Sequence, residues 1–112
     1  MKIIENPTKI SQLWENREVD FTELMKVVVD IEKEILAIDA EMHADLENIL
    51  LEHGSEQKNL WGANVYPDKN QEDFIEYTSF INIRPNQNNR SMEILDNTIK
   101  NKVRGIVTFL LS

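Results

Sequence analysis

The stretch from Met25 to Asp39 decides what this chain can become. Read as a helix, Phe21, Leu24, Val28, Ile31, Ile35, Ile38 and Met42 recur at spacings of three and four. Read as a hairpin, the β-branched run Val27-Val28-Val29 opens a strand that reverses at Glu32-Lys33. That register sets Val29 opposite Leu36 and Val27 opposite Ile38, and it places Lys26 across from Asp39 as a favourable charge pair. The turn lacks the Gly or Asn that tight hairpins prefer. A helix carried through to His53 would run for more than about thirty residues without a break, too long for so short a chain. We therefore expect a hairpin, and with it a sheet.

The flanking segments complete the pattern. Asn6-Pro7 suits a helix start, Asn as cap and Pro at the first helical position, with Ile10, Leu13 and Trp14 on one face to about Asn16. From Ala40 to His53, Met42, Leu46, Ile49, Leu50 and His53 form one stripe, and Gly54 follows where a left-handed cap belongs. Leu60 to Tyr66 reads as a strand ended by Pro67-Asp68. Phe74 to Ile83 alternates, with Ile75, Tyr77, Ile81 and Ile83 on one face. After an Asn-rich loop, Ser91 is the expected cap of a last helix carrying Met92, Leu95, Ile99, Val103, Ile106 and Leu110. The expected fold is one α+β domain over residues 1–112, in the order α-β-β-α-β-β-α. Its two layers are a mainly antiparallel four-stranded sheet and helices covering one face.

Composition narrows the function classes. The 112 residues include no cysteine, which removes disulfides, thiol catalysis and cysteine-bound metal. No metal site and no cofactor is expected. No stretch approaches the length of a membrane-spanning helix, and Met1-Lys2-Ile3-Ile4-Glu5 lacks the apolar run of a signal peptide, so the expected compartment is the cytoplasm. The net charge of −8 opposes phosphate backbones and anionic lipid, which argues against nucleic-acid and membrane partners. A nucleic-acid role through Arg90, Lys100, Lys102 and Arg104 is a distant third reading. Thirteen acids and three bases lie between Glu15 and Glu56, against five bases and two acids from Arg84 to Ser112. Such segregation reflects a solvated acidic face, complementary packing between the two segments, or self-complementary dimer surfaces.

Few residues bear recognisable chemistry. His43 and Glu47 are four apart on one helix face, a spacing that polarises an imidazole or supplies two metal ligands. Asp30 and Glu41 are the nearest further carboxylates by sequence. The plainer reading is a boundary histidine hydrogen-bonded to a carboxylate, holding helix to sheet. Asn64 shares a strand face with Gly62 and Tyr66. A Gly beside Trp61 signals close approach of another chain or a ligand, or, more simply, relief of crowding under the indole. Asn82 and Arg84 lie opposite the isoleucine face, on a side of the sheet expected to be open, where Arg84 could grip a ligand's carboxylate or, more simply, form an internal salt bridge with one of the protein's own acids. His53 reads as a structural residue on the core side. Phosphate-binding loops, a serine elbow, zinc-protease and calcium-loop patterns are all missing.

Lys26-Val27-Val28-Val29-Asp30, His43-Ala44-Asp45, Leu60-Trp61-Gly62-Ala63-Asn64 and Ile81-Asn82-Ile83-Arg84-Pro85 together resemble a family of small bacterial proteins known only as a domain of unknown function. The resemblance implies a small bacterial cytoplasmic protein and no assigned reaction. Glu34 stands where similar proteins carry Gly. Two functions from different classes remain open. One is a non-catalytic interaction module that self-associates as a homo-oligomer. The other is a small enzyme or ligand-binding protein built on Asp30, His43, Glu47, Asn82 and Arg84, with Asn64 as a further binding candidate.

Overall fold

In the computed structural model, residues 1–111 are described. The elements run β1 (Lys2–Ile4), α1 (Ile10–Glu15), β2 (Met25–Asp30), β3 (Ile35–Ile38), α2 (His43–Glu52), β4 (Leu60–Val65), β5 (Ile75–Glu76) and α3 (Asn97–Leu110). Five antiparallel strands form an open sheet in the order β1-β3-β2-β4-β5.

The hairpin holds, register included: Val29 faces Leu36 and Val27 faces Ile38. Its loop is the four residues Ile31 to Glu34, closed by the Glu34 amide on the Asp30 carbonyl at 2.9 Å. Glu34 takes φ +57°, a left-handed conformation that suits glycine and costs a side-chain-bearing residue energy. The ladder stops at Val27, so Lys26 and Asp39 do not pair as expected. Asp39 also turns left-handed, at φ +77°, and its carboxylate instead accepts the Glu18 amide at 3.0 and 3.1 Å.

Strand β2 is buried along both faces, and this sets the architecture. Val27 and Val29 pack with Trp61, Ala63 and Val65 under Leu13 of α1 and under Val103, Ile106, Val107 and Leu110 of α3. Val28, Ile35, Ala37 and Leu60 pack instead under Leu46 and Leu50 of α2. Residues of alternating parity point to opposite sides of a strand, so α2 and α3 lie on opposite faces. The domain is therefore three-layered, against the expected two layers and open face. The acidic α2, with Asp45, Glu47 and Glu52, and the basic α3, with Lys100, Lys102 and Arg104, are separated by the sheet and do not pack together. Among the described residues no helix is long and apolar enough to cross a membrane.

Several boundaries differ from the sequence reading. The fifth strand, β1, has only three residues, too few for any alternation to register. Helix α1 begins at Ile10 rather than Pro7, after the Thr8 amide bonds the Leu110 carbonyl at 2.8 Å. Helix α2 begins at His43, leaving Met42 as a 59% exposed cap and turning His43, Leu46 and Leu50 inward. It ends as expected: Gly54 at φ +101° lets the Ser55 amide reach the Leu50 carbonyl and the Gly54 amide reach that of Leu51. His53 lies outside the core, half exposed against Glu5 at 3.2 Å. Helix α3 is capped by Asp96, not Ser91, the carboxylate accepting the amides of Thr98 and Ile99 at 2.7 and 3.2 Å. The stretch before it runs extended, with the Ile94 amide on the Tyr77 carbonyl and the Ser79 amide on that of Met92.

The strained hairpin loop gives a direct test. Glu34→Gly removes the left-handed penalty and should raise unfolding stability by about 0.5–1 kcal/mol after the added flexibility of the unfolded chain is subtracted. Urea denaturation reads the change, and an unaltered or lowered midpoint would show that the loop carries no strain at this position.

Candidate functional site

The expected strand from Phe74 to Ile83 ends after Glu76, and what replaces it organises the candidate residues. Ser79 starts a 3-10 turn over Phe80–Asn82, its hydroxyl accepting the Ile81 amide at 3.2 Å. The turn reverses the expected burial. Asn82 is completely buried and Arg84 nearly so, whereas Ile83 is 44% exposed.

The reason is the edge of β4. Strand β5 pairs only with Asn64 and Val65, leaving Leu60 to Ala63 without a strand neighbour on that side. Side chains take the strand's place. The Asn82 Oδ1 accepts the Gly62 amide at 2.9 Å, and its Nδ2 donates to the Gly62 carbonyl at 2.9 Å, as a neighbouring peptide would. The same nitrogen donates to the Met92 carbonyl at 3.0 Å. Next along, Arg84 donates from Nη2 to the Leu60 carbonyl, from Nη1 to Gln57 at 2.9 Å and from Nε to Ile81 at 3.0 Å. Its guanidinium lies 4.7 Å from the centre of the Trp61 ring, and Nη2 is 3.5 Å from the Glu47 carboxylate. Burial pulls the Arg84 pKa below its ordinary value, and Glu47 opposes that pull.

Gly62 is explained by the same segment, the strap from Ser79 to Arg84 that closes the β4 edge. A Cβ there would lie 2.5 Å from the Ser79 Cβ and 3.2 Å from the His43 ring. The glycine thus makes room for the strap and for His43, on the face away from the indole.

His43 and Glu47 do not pair, although the helix places them one turn apart. His43 is buried, and its Nε2 donates at 2.8 Å to the Ala63 carbonyl, which can only accept. That bond fixes the proton on Nε2. Burial depresses the ring's pKa below 6.5; the Ala63 carbonyl opposes this, Lys26 adds to it and Asn64 opposes it. Burial thus favours the neutral ring, whose bond to Ala63 holds α2 to β4. Asn64 donates to Glu76 at 2.8 Å, and Tyr66 donates to the same carboxylate oxygen at 3.1 Å. The Asn64 Oδ1 is buried without a partner among the described residues.

Asp30 sits elsewhere, at the hairpin loop. Its carboxylate accepts the Glu32 and Lys33 amides at 2.9 Å each and the Ser55 hydroxyl at 2.6 Å, joining the β2–β3 loop to the end of α2. The five residues of the catalytic or ligand-binding reading thus fall in two regions, Asp30 at the hairpin loop and the other four along β4, where His43, Asn82 and Arg84 bond backbone groups of that strand and only Arg84 and Glu47 approach each other. Among the described residues no three metal-ligating side chains gather.

Two residues of comparable weight lay outside the sequence candidates. Asn89, buried, donates from Nδ2 to the carbonyls of Asn82, Ser91 and Glu93 at 2.7–2.9 Å and accepts the Leu95 amide at 2.9 Å. Ser55 anchors Asp30. Asn89 stands in an Asn-rich loop in which no periodicity separates one Asn from the next.

Fold and strap define a three-layer α+β domain whose buried polar side chains serve backbone groups. The family model described as "Protein of unknown function (DUF5674)" matches residues 2–110, and the chain belongs to that family. No curated protein and no solved structure matches it.

Two measurements test these roles. Asn82→Ala strands the peptide groups of Gly62 and the Met92 carbonyl, and should lower unfolding stability by about 3 kcal/mol, since each unpaired buried group costs ~1–3 kcal/mol at most. A loss no larger than that of an exposed substitution would sink the strap. For His43 the folded pKa lies below the unfolded value of 6.5. Its contribution is therefore complete above 6.5 and fades as pH falls from there through the depressed folded value. His43→Gln should reduce the loss of stability between about pH 7 and about pH 5, read as urea midpoints. Parallel curves for variant and parent would rule this out.

Proposed function

We propose that the protein is a small cytoplasmic, non-catalytic interaction module that associates with a second copy of itself through the turn held by Asn82 and Arg84. One observation carries this reading. Buried polar bonds fix the turn from beneath, while Phe80 stands 76% exposed and Ile83 44% exposed on top of it. Leu95, 54% exposed, follows the segment bonded alongside. Single apolar residues on a surface are ordinary. Large ones held on a rigid, fully hydrogen-bonded turn lose little side-chain and backbone freedom on docking, and such positions supply most of the energy in protein interfaces. A second copy brings the same apolar group, so a two-fold arrangement buries both. The engagement of Asp30, Asn82 and Arg84 by backbone groups and by Ser55 and Glu47 supports a non-catalytic role.

Sedimentation equilibrium over a wide concentration range tests the proposal. The parent protein should self-associate, and Phe80→Glu should weaken association at least about tenfold, ~1.4 kcal/mol, while its melting temperature is unchanged. A parent that stays monomeric throughout, or a variant that associates as before, overturns it.

A further inference from the structure

We infer that the cleft between α3 and the loop before β5 is a binding site for a small amphiphilic carboxylate, one with a short acyl chain or a single ring. This inference does not rest on the self-association proposed above and concerns a different surface. The cleft has a volume of about 430 Å³, within the range of small-molecule sites. Phe74, Ile75 and Leu111 give it an apolar lining, and all three pack against the core beneath α3. Lys69 and Arg104 stand beside that lining, with Gln71 and Thr108 as further polar groups.

The charge pattern selects the ligand. Twenty acids outnumber twelve bases in the chain, yet no Asp or Glu lines this cleft. Neither Lys69 nor Arg104 forms an ion pair with a carboxylate among the described residues. Lys69 rests 4.3 Å from the centre of the Tyr66 ring, and Arg104 donates to Asn101 one turn earlier in α3. Helix α3 has no acid along its length, and Asp68, Glu72 and Asp73 of the facing loop stay out of the lining, so Lys69 and Arg104 are the charged groups that border the cleft. An apolar wall lowers the local dielectric and strengthens a charge contact made beside it. The complementary ligand places a carboxylate between Lys69 and Arg104 and its apolar body against Phe74, Ile75 and Leu111. A neutral amphiphile satisfies only the wall, and a cationic one is repelled.

Titrating octanoate, octan-1-ol and octylammonium into the ¹⁵N-labelled full chain, below their micelle-forming concentrations, separates the outcomes. Octanoate should shift the amides of Phe74, Ile75, Thr108 and Leu111 and saturate at or below a roughly millimolar dissociation constant. Octan-1-ol should bind about tenfold more weakly, and octylammonium should not bind. Arg104→Gln, on the exposed side of α3, should weaken octanoate about tenfold and remove its advantage over the alcohol. Thr108→Trp should fill the cleft and abolish both, with the melting temperature retained, and Phe80→Glu should leave binding unaltered. Equal affinity for octanoate and octan-1-ol, shifts spread away from the cleft, or an Arg104→Gln variant that binds octanoate as the parent does would each overturn the inference.

Discussion

The pairing of the Asn82 side chain with the Gly62 peptide is the contact on which the second half of the molecule depends. Strand β4 carries the Trp61 anchor of one core and the Leu60 anchor of the other, but a strand partner covers its outer edge only at Asn64 and Val65. An uncovered edge is a template for pairing with other chains. Here a carboxamide, which has the donor and acceptor of a peptide on one planar group, closes it, and Arg84 continues the closure to Leu60. The same contact ties the extended stretch ahead of α3 to the sheet through Met92 and, by way of Asn89, through Leu95. The segment leading into α3 is thereby fixed beside the sheet, while Val103, Ile106, Val107 and Leu110 hold the helix over the core of Val27, Val29 and Trp61.

What could be read from the sequence follows from which groups decided each element. The hairpin was legible because Val27, Val28 and Val29 suit a strand on both faces and because length argued against the helix, and the register followed. Gly54 as a helix cap was legible because only a left-handed residue lets Ser55 reach Leu50. Phe74 to Ile83 misled because its alternation is real while the deciding interaction is not periodic. A side chain bonding a strand twenty or more residues away leaves no mark on hydrophobic spacing. Asn82 and Arg84 were expected to face an open surface, and the structure turns them inward to serve the backbone. His43 was misassigned to Glu47, since helical spacing shows which side chains could meet but not which carbonyl lies closer.

Charge segregation along the chain takes on a spatial meaning once the three layers are known. Acids on α2 and bases on α3 occupy opposite sides of one sheet, too far apart to neutralise each other and each open to solvent on its outer face. The acidic side lies over His43 and the strap; the basic side borders the cleft of Phe74 and Leu111. The bases of α3 are thus set apart from the acids of α2 in a molecule of net charge −8, although Glu5, Glu32 and Glu34 border α3 on its other flank.

The clearance between Gly62 and Ser79 also limits how this sequence can drift. With 2.5 Å between the Ser79 Cβ and the point where a Cβ on residue 62 would stand, the two positions share one small volume. A side chain at 62 requires residue 79 to shrink first, and Ser79 cannot take over that volume with a larger group while the turn keeps its place. Any route to a different pair passes through glycine at one position or the other. Two residues seventeen apart in the chain thus change as a single unit, and the narrow gap that admits the strap also restricts the chains that can form it.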